Sequence, residues 1–196
     1  KMLRSNKLNP DMITNYTKVV FKDRLEVLLG KNKSESNQNI EEKVQSSPIE
    51  IADEYVEIVK IANQYYDKVF VDLDYNLNQD IREQIIDQSD LIILNSSQNY
   101  KSLKELKENK ENNKLLKSPR TLLLIGRYDK YSKYNVKNIT RYLGEKNKVL
   151  TVPYNTLYFE ACNEAGVPDL FLKLKKMYDL DDRNAIFMEE IKRASE

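Results

Sequence analysis

Two carboxylates, Asp72 and Asp74, stand directly after a short and mostly apolar run at residues 68–71. An acid at the end of a buried strand lies at the rim of a sheet. In folds that handle phosphate, such a carboxylate orients Mg²⁺ through its water shell. In an extended chain, Asp74 would point to the same side as Asp72. Because short apolar strands often end in an acid, the pattern also fits a carboxylate that only caps the following turn.

Five apolar runs bounded by polar turns are typical of buried parallel strands. They are residues 25–29, 68–73, 91–94, 121–125 and 148–152. Helix-period patterns occupy residues 49–65, 78–88, 99–109, 135–143, 156–164, 168–178 and 182–195. The alternation predicts an α/β fold: a mostly parallel central sheet of five or more strands with helices on both faces, in one domain spanning residues 1–196. Polar stretches predict a flexible surface loop at residues 31–47 and a second mobile connection at 109–118.

Polar residues also follow the later strands of this predicted sheet. Ligands of open parallel sheets bind beyond the carboxyl ends of the strands, which selects Arg127 after the fourth run and residues 153–155 after the fifth. The Pro153-Tyr154-Asn155 turn could line a bound ligand. Equally, Pro153 could simply end its strand.

Composition narrows the possible chemistry. The chain has no histidine, which excludes His-ligated zinc and Ser-His or Cys-His hydrolysis, and its one cysteine excludes an internal disulfide. The net charge is +1, so charge alone favours no polyanionic partner. No apolar run approaches the ~18 residues of a membrane span. We therefore expect a cytoplasmic protein without an integral membrane segment, and the first residue, Lys1, suggests a fragment.

A basic and aromatic stretch spans residues 127–142. Its cations are Arg127, Lys130, Lys133, Lys137 and Arg141, and they alternate with Tyr128, Tyr131, Tyr134 and Tyr142. Such a mixture could bind nucleic acid through phosphate contacts and base stacking. A solvated loop and helix face is the alternative, and the near-zero net charge favours it.

Four segments resemble ParA/MinD-type ATPases, which have a deviant Walker A motif. Residues 66–77, with 89–93 after a helix, are similar to the Walker B region of that family. The other similar segments are residues 23–30, 123–129, and 152–155 with 160–163 and 166–168. No single segment is specific, but four of them occur in the family's order and together cover roughly residues 20–176.

The resemblance implies a P-loop-type three-layer sandwich that binds ATP and Mg²⁺. It implies that Asp72 orients Mg²⁺ and the attacking water, that Asp74 assists, and that Arg127, Pro153, Tyr154 and Asn155 contact the nucleoside. Such a protein forms a homodimer and acts on a protein partner, in partitioning, division-site placement, or localisation of a secretion or pilus apparatus. The family also binds DNA non-specifically through basic surface residues.

The chain departs from the family in two places. It has no glycine-rich turn with two lysines. Residues 30–34 only partly resemble one, because Leu25 stands where the first P-loop glycine belongs and Asn32 replaces Ser or Thr. We therefore expect either that upstream residues supply this turn and the first central strand, or that the chain is a degenerate relative. By itself it should not hydrolyse ATP. Gly126 stands where the family usually has an adenine-binding Asn. The second hypothesis is consequently a nucleotide-free dimerising scaffold of the same fold.

Overall fold

The computed structural model describes residues 9–29, 48–74, 77–144, 149–176 and 182–195. The chain divides into two compact units, residues 1–89 and 90–196, and each is described by itself. The stretch at 31–47 lies outside the described residues, so the loop expected there stays a prediction. The single domain expected from the sequence also stays a prediction.

The first unit combines a small hairpin with two helices. After a 3-10 helix, Pro10–Asn15, strands β1 (Lys18–Phe21) and β2 (Leu25–Val27) pair antiparallel. Helices α1 (Pro48–Tyr65) and α2 (Gln79–Gln88) confirm the helices predicted at 49–65 and 78–88. Their apolar residues form two clusters, one around Ile13, Ile61 and Ala62 and the other around Val56, Ile81 and Ile85.

The hairpin corrects one strand prediction. Residues 25–29 were expected to form a parallel strand, but β2 pairs with β1 in a two-stranded antiparallel sheet. The turn between the strands places Asp23 at a φ of 57°. Aspartate tolerates this left-handed conformation better than most residues, which allows so short a reversal.

The run at 68–73 was also predicted to be a strand, and this prediction is wrong, since these residues form no strand. Val69 packs against the cluster around Ile61, and Leu73 packs against the cluster around Val56. Between them, Phe70 is 82% exposed. The apolar side chains at the two ends of the run therefore pack on helices. This packing explains the apolar pattern that predicted a buried strand.

Glu26 of β2 accepts two hydrogen bonds on Oε2, from Thr17 Oγ1 at 2.6 Å and from Tyr66 Oη at 2.5 Å. These bonds lower the pKa of the Glu26 carboxyl, with Thr17 the larger cause and Tyr66 the second. A carboxylate with a lowered pKa stabilises the fold above its unfolded-state pKa, and that stabilisation is lost as the pH falls through its folded-state value.

We therefore expect Tyr66→Phe to weaken the loss of stability on acidification. The measurement is urea unfolding of the full chain at pH values from neutral to below the ordinary glutamate pKa of 4.5. Tyr65→Phe, which changes the neighbouring ring without touching Glu26, is the control. If the free energy of unfolding of Tyr66→Phe and of the wild type falls equally on acidification, the hydrogen bond from Tyr66 does not lower the pKa of Glu26.

The second unit contains a parallel sheet. Strands β3 (Ile92–Ser97), β4 (Thr121–Tyr128) and β5 (Val149–Pro153) lie in the order β3–β4–β5. They confirm the strands predicted at 91–94, 121–125 and 148–152. Over the described residues the sheet has three strands, which is smaller than the five or more expected from the sequence.

The described residues of the second unit also form six helices: α3 (Tyr100–Glu108), α4 (Lys110–Leu116), α5 (Val136–Leu143), α6 (Thr156–Asn163), α7 (Val167–Lys176) and α8 (Asp182–Ser195). Alternate residues of β4, including Leu123 and Ile125, are buried against α3, α4 and α5. Helix α4 falls in the stretch 109–118 that was expected to be a mobile connection. That expectation is wrong: Asn109 caps α4 and Leu116, 1% exposed, joins the core.

A second apolar contact joins the C-terminal helices. Phe187 of α8 is fully buried, with its ring centroid 5.4 Å from Tyr158 of α6 and 6.2 Å from Phe171 of α7. Helix α8 also contacts β5, where Thr151 Oγ1 donates to Glu190 Oε2 at 2.6 Å. These contacts fix the position of β5, whose last residues carry part of the candidate site. Among the described helices, none is long and apolar enough to span a membrane.

Candidate site at the carboxyl edge of the parallel sheet

The three parallel strands of the second unit end at one edge, where β4 and β5 deliver four of the predicted site residues. Tyr128, near the end of β4, pairs with Pro153, the last residue of β5. The Tyr154 backbone N–H donates to the Tyr128 carbonyl at 3.2 Å. Arg127, Pro153, Tyr154 and Asn155 therefore lie at the same edge of the sheet, and their contact with a nucleoside stays a prediction.

Arg127 occupies a β-bulge. From the Ile125–Thr151 pair to the Tyr128–Pro153 pair, β4 advances by three residues while β5 advances by two. The extra residue disrupts the ladder, and Arg127 adopts a φ of 53°. A bulge re-aims its side chains, and a non-glycine residue in the left-handed region costs about 1 kcal/mol or more. The exposed Arg127 side chain is therefore presented at the sheet edge at some cost to the backbone.

Gly126, beside it, needs no special space or conformation. A methyl group in its place would meet Asn95 Oδ1 at 3.7 Å, an ordinary contact, and its φ is not positive. Neither the space around Gly126 nor its backbone conformation therefore indicates that a phosphate binds close to it. Its lack of a side chain instead leaves this position without a group that could recognise a base.

The amide of Asn155 has structural contacts on both of its polar atoms. It is 7% exposed and caps α6, where its Oδ1 accepts from the Tyr158 backbone N–H at 2.9 Å. Its Nδ2 donates to Asn184 Oδ1 at 2.7 Å, which ties α8 to the start of α6. Each of these polar atoms retains one further hydrogen-bonding position, so burial of the side chain, rather than the two bonds, restricts its contact with a ligand. By contrast, the ring of Tyr154 is 56% exposed.

Sequence reasoning missed Gln98, which organises the loop after β4. Its Oε1 accepts from the Asp129 backbone N–H at 2.7 Å, and its Nε2 donates to the carbonyls of Asp129 at 2.9 Å and Tyr134 at 3.0 Å. A single side chain after β3 thus holds both ends of the loop that follows Arg127. The sequence does contain a signal for this role. Gln98 has a long amide side chain, and it lies between the end of β3 and Asn99, the N-cap of α3.

The two acids predicted to bind Mg²⁺ belong to the first unit. Asp72 and Asp74 are both exposed, in the segment that forms no strand, and the Asp74 carbonyl accepts from the Leu77 backbone N–H at 3.0 Å. The sheet edge that carries Arg127 belongs to the second unit. In the described parts of the chain, no group of three or more His, Cys, Asp or Glu residues is arranged to hold a metal ion.

All five cations predicted to contact nucleic acid are exposed: Arg127, Lys130, Lys133, Lys137 and Arg141. Two of them lie over rings of the same loop. Lys130 Nζ is 5.1 Å from the Tyr131 ring centroid, and Lys133 Nζ is 5.3 Å from that of Tyr134. The alternation seen in the sequence therefore produces lysine and tyrosine side chains in contact, and their role in nucleic-acid binding stays a prediction.

The structure is similar to that of a known ATPase. The crystal structure of a ParA family ATPase from Chlorobium tepidum TLS matches it with a TM-score of 0.63 at 16% sequence identity. The match covers 86% of this chain and 66% of the other, which is less than two thirds of the ATPase's length. No protein-family model and no curated protein sequence matches the chain. At this level of identity, the similarity establishes a ParA-like fold.

Proposed function

We propose that the chain forms the main body of a ParA-like ATPase, or of a degenerate relative, whose nucleotide-dependent dimerisation positions or assembles a protein partner. The observation that carries this proposal is the edge of the parallel sheet, where Arg127 and Tyr154 are exposed at the ends of adjacent strands in a ParA-like fold. The β-bulge between β4 and β5 accounts for the left-handed conformation of Arg127 and exposes its side chain at this edge.

The nucleoside half of ATP fits these residues. A guanidinium can stack on a purine, and an exposed tyrosine ring offers a second flat surface. Pro153 fixes the backbone between the end of β5 and Tyr154. Asn155 fits a base less well than Tyr154 does, because its side chain is 7% exposed and its amide already caps α6 and bonds to Asn184. Its contribution is to hold the Tyr154 turn in place.

An exposed carboxylate is suited to hold the hydrated Mg²⁺ ion that accompanies ATP. Mg²⁺ keeps several waters and needs only one or two protein carboxylates beside the phosphates of a nucleotide. For Asp72 and Asp74 of the first unit, this role rests on the resemblance of residues 66–77 to the Walker B region and is proposed without reference to where the second unit lies. Bound MgATP would supply the phosphoanhydride bond whose hydrolysis ends the dimeric state. The chain lacks a turn with two lysines to neutralise the phosphates, so by itself it should not hydrolyse ATP, and binding of MgATP is proposed for a protein in which upstream residues supply that turn.

The test is isothermal titration of the natural full-length protein with MgATP. We expect saturable binding by the wild type and an affinity about tenfold or more lower for Asp72→Ala, because a hydrogen bond to a charged group is worth about 1.5–3 kcal/mol. Asp67→Ala, an exposed acid a few residues upstream, is the matched control and should bind as the wild type does.

Arg127→Gly examines the nucleoside contact in the same titration. Glycine adopts positive φ freely, so this change removes the guanidinium without adding backbone strain. We expect weaker binding at equal or higher stability, because glycine removes the cost of the left-handed backbone, whereas Arg141→Ala should bind normally. Absence of saturable heat from the wild type would overturn the proposal, and unchanged binding by Asp72→Ala would remove its assigned role.

A second candidate function is a nucleotide-free dimerising scaffold. Two observations favour it: Gly126 has no side chain for base recognition, and both polar atoms of the Asn155 amide are used within the fold. This function predicts a dimer whose formation is independent of MgATP.

A further inference from the structure

The amide of Asn95 lies beside the residues proposed to hold the nucleoside. Asn95 is in β3, and its Oδ1 is 3.7 Å from the point that a Cβ atom of Gly126 would occupy. Gly126 directly precedes Arg127 in β4. Because glycine has no side chain, nothing at position 126 separates the Asn95 amide from the space at the carboxyl edge of the sheet.

We propose that Asn95 recognises the adenine base. Its Oδ1 accepts a hydrogen bond from the exocyclic amino group, and its Nδ2 donates one to the adjacent ring nitrogen. The inference rests on the proposed ATPase function and deepens it, because it assigns a residue that selects adenine over other purines.

The first support is the face of the sheet on which Asn95 lies. In the register of β3 on β4, Ser97 pairs with Gly126, and Asn95 precedes Ser97 by two residues. Side chains of a strand alternate between the two faces, so Asn95, Ser97 and position 126 share one face. Leu94 lies on the other face, where it packs against the core. The polar end of β3 therefore supplies an amide to the sheet edge without disturbing the core.

The second support is that the Asn95 amide is available. Its side chain is exposed, and its amide group forms no hydrogen bond with any described residue. By contrast, the amides of Asn99, Asn135 and Asn155 accept from backbone N–H groups at the starts of helices. Asparagine is also disfavoured within strands, where it packs poorly and caps no helix. Asn95 therefore brings a hydrogen-bond donor and an acceptor to the sheet edge that the fold itself does not use.

The chemistry of an amide favours adenine over guanine. An amide oxygen accepts and its nitrogen donates, which matches the neighbouring donor and acceptor of adenine. Guanine has an acceptor oxygen in place of the amino group, so only one of the two hydrogen bonds can form. A base stacked on the Arg127 guanidinium keeps its edge free for such contacts, since stacking uses only its flat face.

The experiment is isothermal titration of the natural full-length protein with MgATP and with an analogue whose purine lacks the exocyclic amino group. We expect the wild type to prefer MgATP by about tenfold or more, as for other paired amide–adenine contacts, and Asn95→Ala to bind the two ligands about equally. Asn163→Ala removes an exposed amide at the last residue of α6 and should keep the wild-type preference. Circular dichroism verifies folding of each variant.

A second variant moves the amide to the neighbouring strand. Gly126 has ordinary space for a side chain and no positive φ, so asparagine fits there. We expect Asn95→Ala with Gly126→Asn to regain the preference for MgATP, whereas Asn95→Ala with Gly126→Ala should not. Equal binding of the two ligands by the wild type, or an unchanged preference in Asn95→Ala, would overturn the inference and leave ATP binding in place. Absence of saturable binding by the wild type would overturn the proposed function, and the inference with it.

Discussion

Phe187→Ala is expected to lower the free energy of unfolding of the second unit by about 3–5 kcal/mol, the range for removing a buried aromatic ring. Phe187 has no exposed surface and stands between the rings of Tyr158 and Phe171. The three aromatic residues come from α6, α7 and α8, so a cavity there would loosen all three helices. Urea unfolding of the full chain, followed by circular dichroism, measures the change.

The neighbouring residue supplies the control. Ile186→Ala removes a large apolar side chain from the same helix, but Ile186 is 39% exposed. We expect a smaller loss, about 1–2 kcal/mol, because more than a third of Ile186 stays in contact with water and its transfer term is reduced accordingly. Similar losses for Phe187→Ala and Ile186→Ala would contradict the aromatic cluster as the point that holds α8.

Asn155→Ala is expected to cost about 2–3 kcal/mol. Loss of an N-cap contributes about 0.5–2 kcal/mol, and loss of a buried hydrogen bond adds about 1 kcal/mol. Both terms apply, because Asn155 accepts from the Tyr158 N–H and donates to Asn184. Urea unfolding measures this loss, and titration with MgATP should give an affinity close to that of the wild type under folded conditions.

Asn135→Ala separates the two contributions. Asn135 caps α5 by accepting from the Asn138 N–H at 3.0 Å, and its replacement should cost about 1 kcal/mol. If Asn155→Ala lowers the free energy of unfolding no more than Asn135→Ala does, the hydrogen bond to Asn184 does not contribute to stability. If it abolishes nucleotide binding in a folded protein, Asn155 contacts the base and our assignment is wrong.

Two of the three strands that the sequence predicted correctly, β4 and β5, contribute buried residues, whereas the residues of β3 are half-buried or exposed. Residues 121–126 of β4 alternate between buried and half-buried positions. The leucine and isoleucine run of this strand is apolar because its residues pack in the core. Residues 68–73 have a similar composition, but Val69 and Leu73 serve helices α1 and α2. Sequence alone cannot separate these cases, because tertiary contacts decide which partner a short apolar run receives.

Asparagine carried more structural information than the sequence analysis used. Five helices, α2 to α6, begin after an asparagine cap: Asn78, Asn99, Asn109, Asn135 and Asn155. Recognition of Asn109 as a cap would have predicted α4 in place of a mobile connection. The same signal would have identified Asn155 as structural and left Tyr154 as the exposed candidate.

The bulge at Arg127 could not have been predicted. Strand and turn patterns indicate where β4 ends, but the extra residue arises from the register between β4 and β5, which depends on contacts distant in sequence. The placement rule for parallel sheets still selected Arg127 and Tyr154, because it depends only on strand direction. Position was predictable, whereas conformation was not.

The measurement that tests the central claim most directly is the mass of the natural full-length protein by sedimentation equilibrium, with MgATP, with Mg²⁺ alone, and without either. Ligand that binds preferentially to the dimer shifts the equilibrium by mass action. We predict a dimer with MgATP and a monomer in the other two conditions. The same mass in all three conditions would contradict nucleotide-dependent dimerisation.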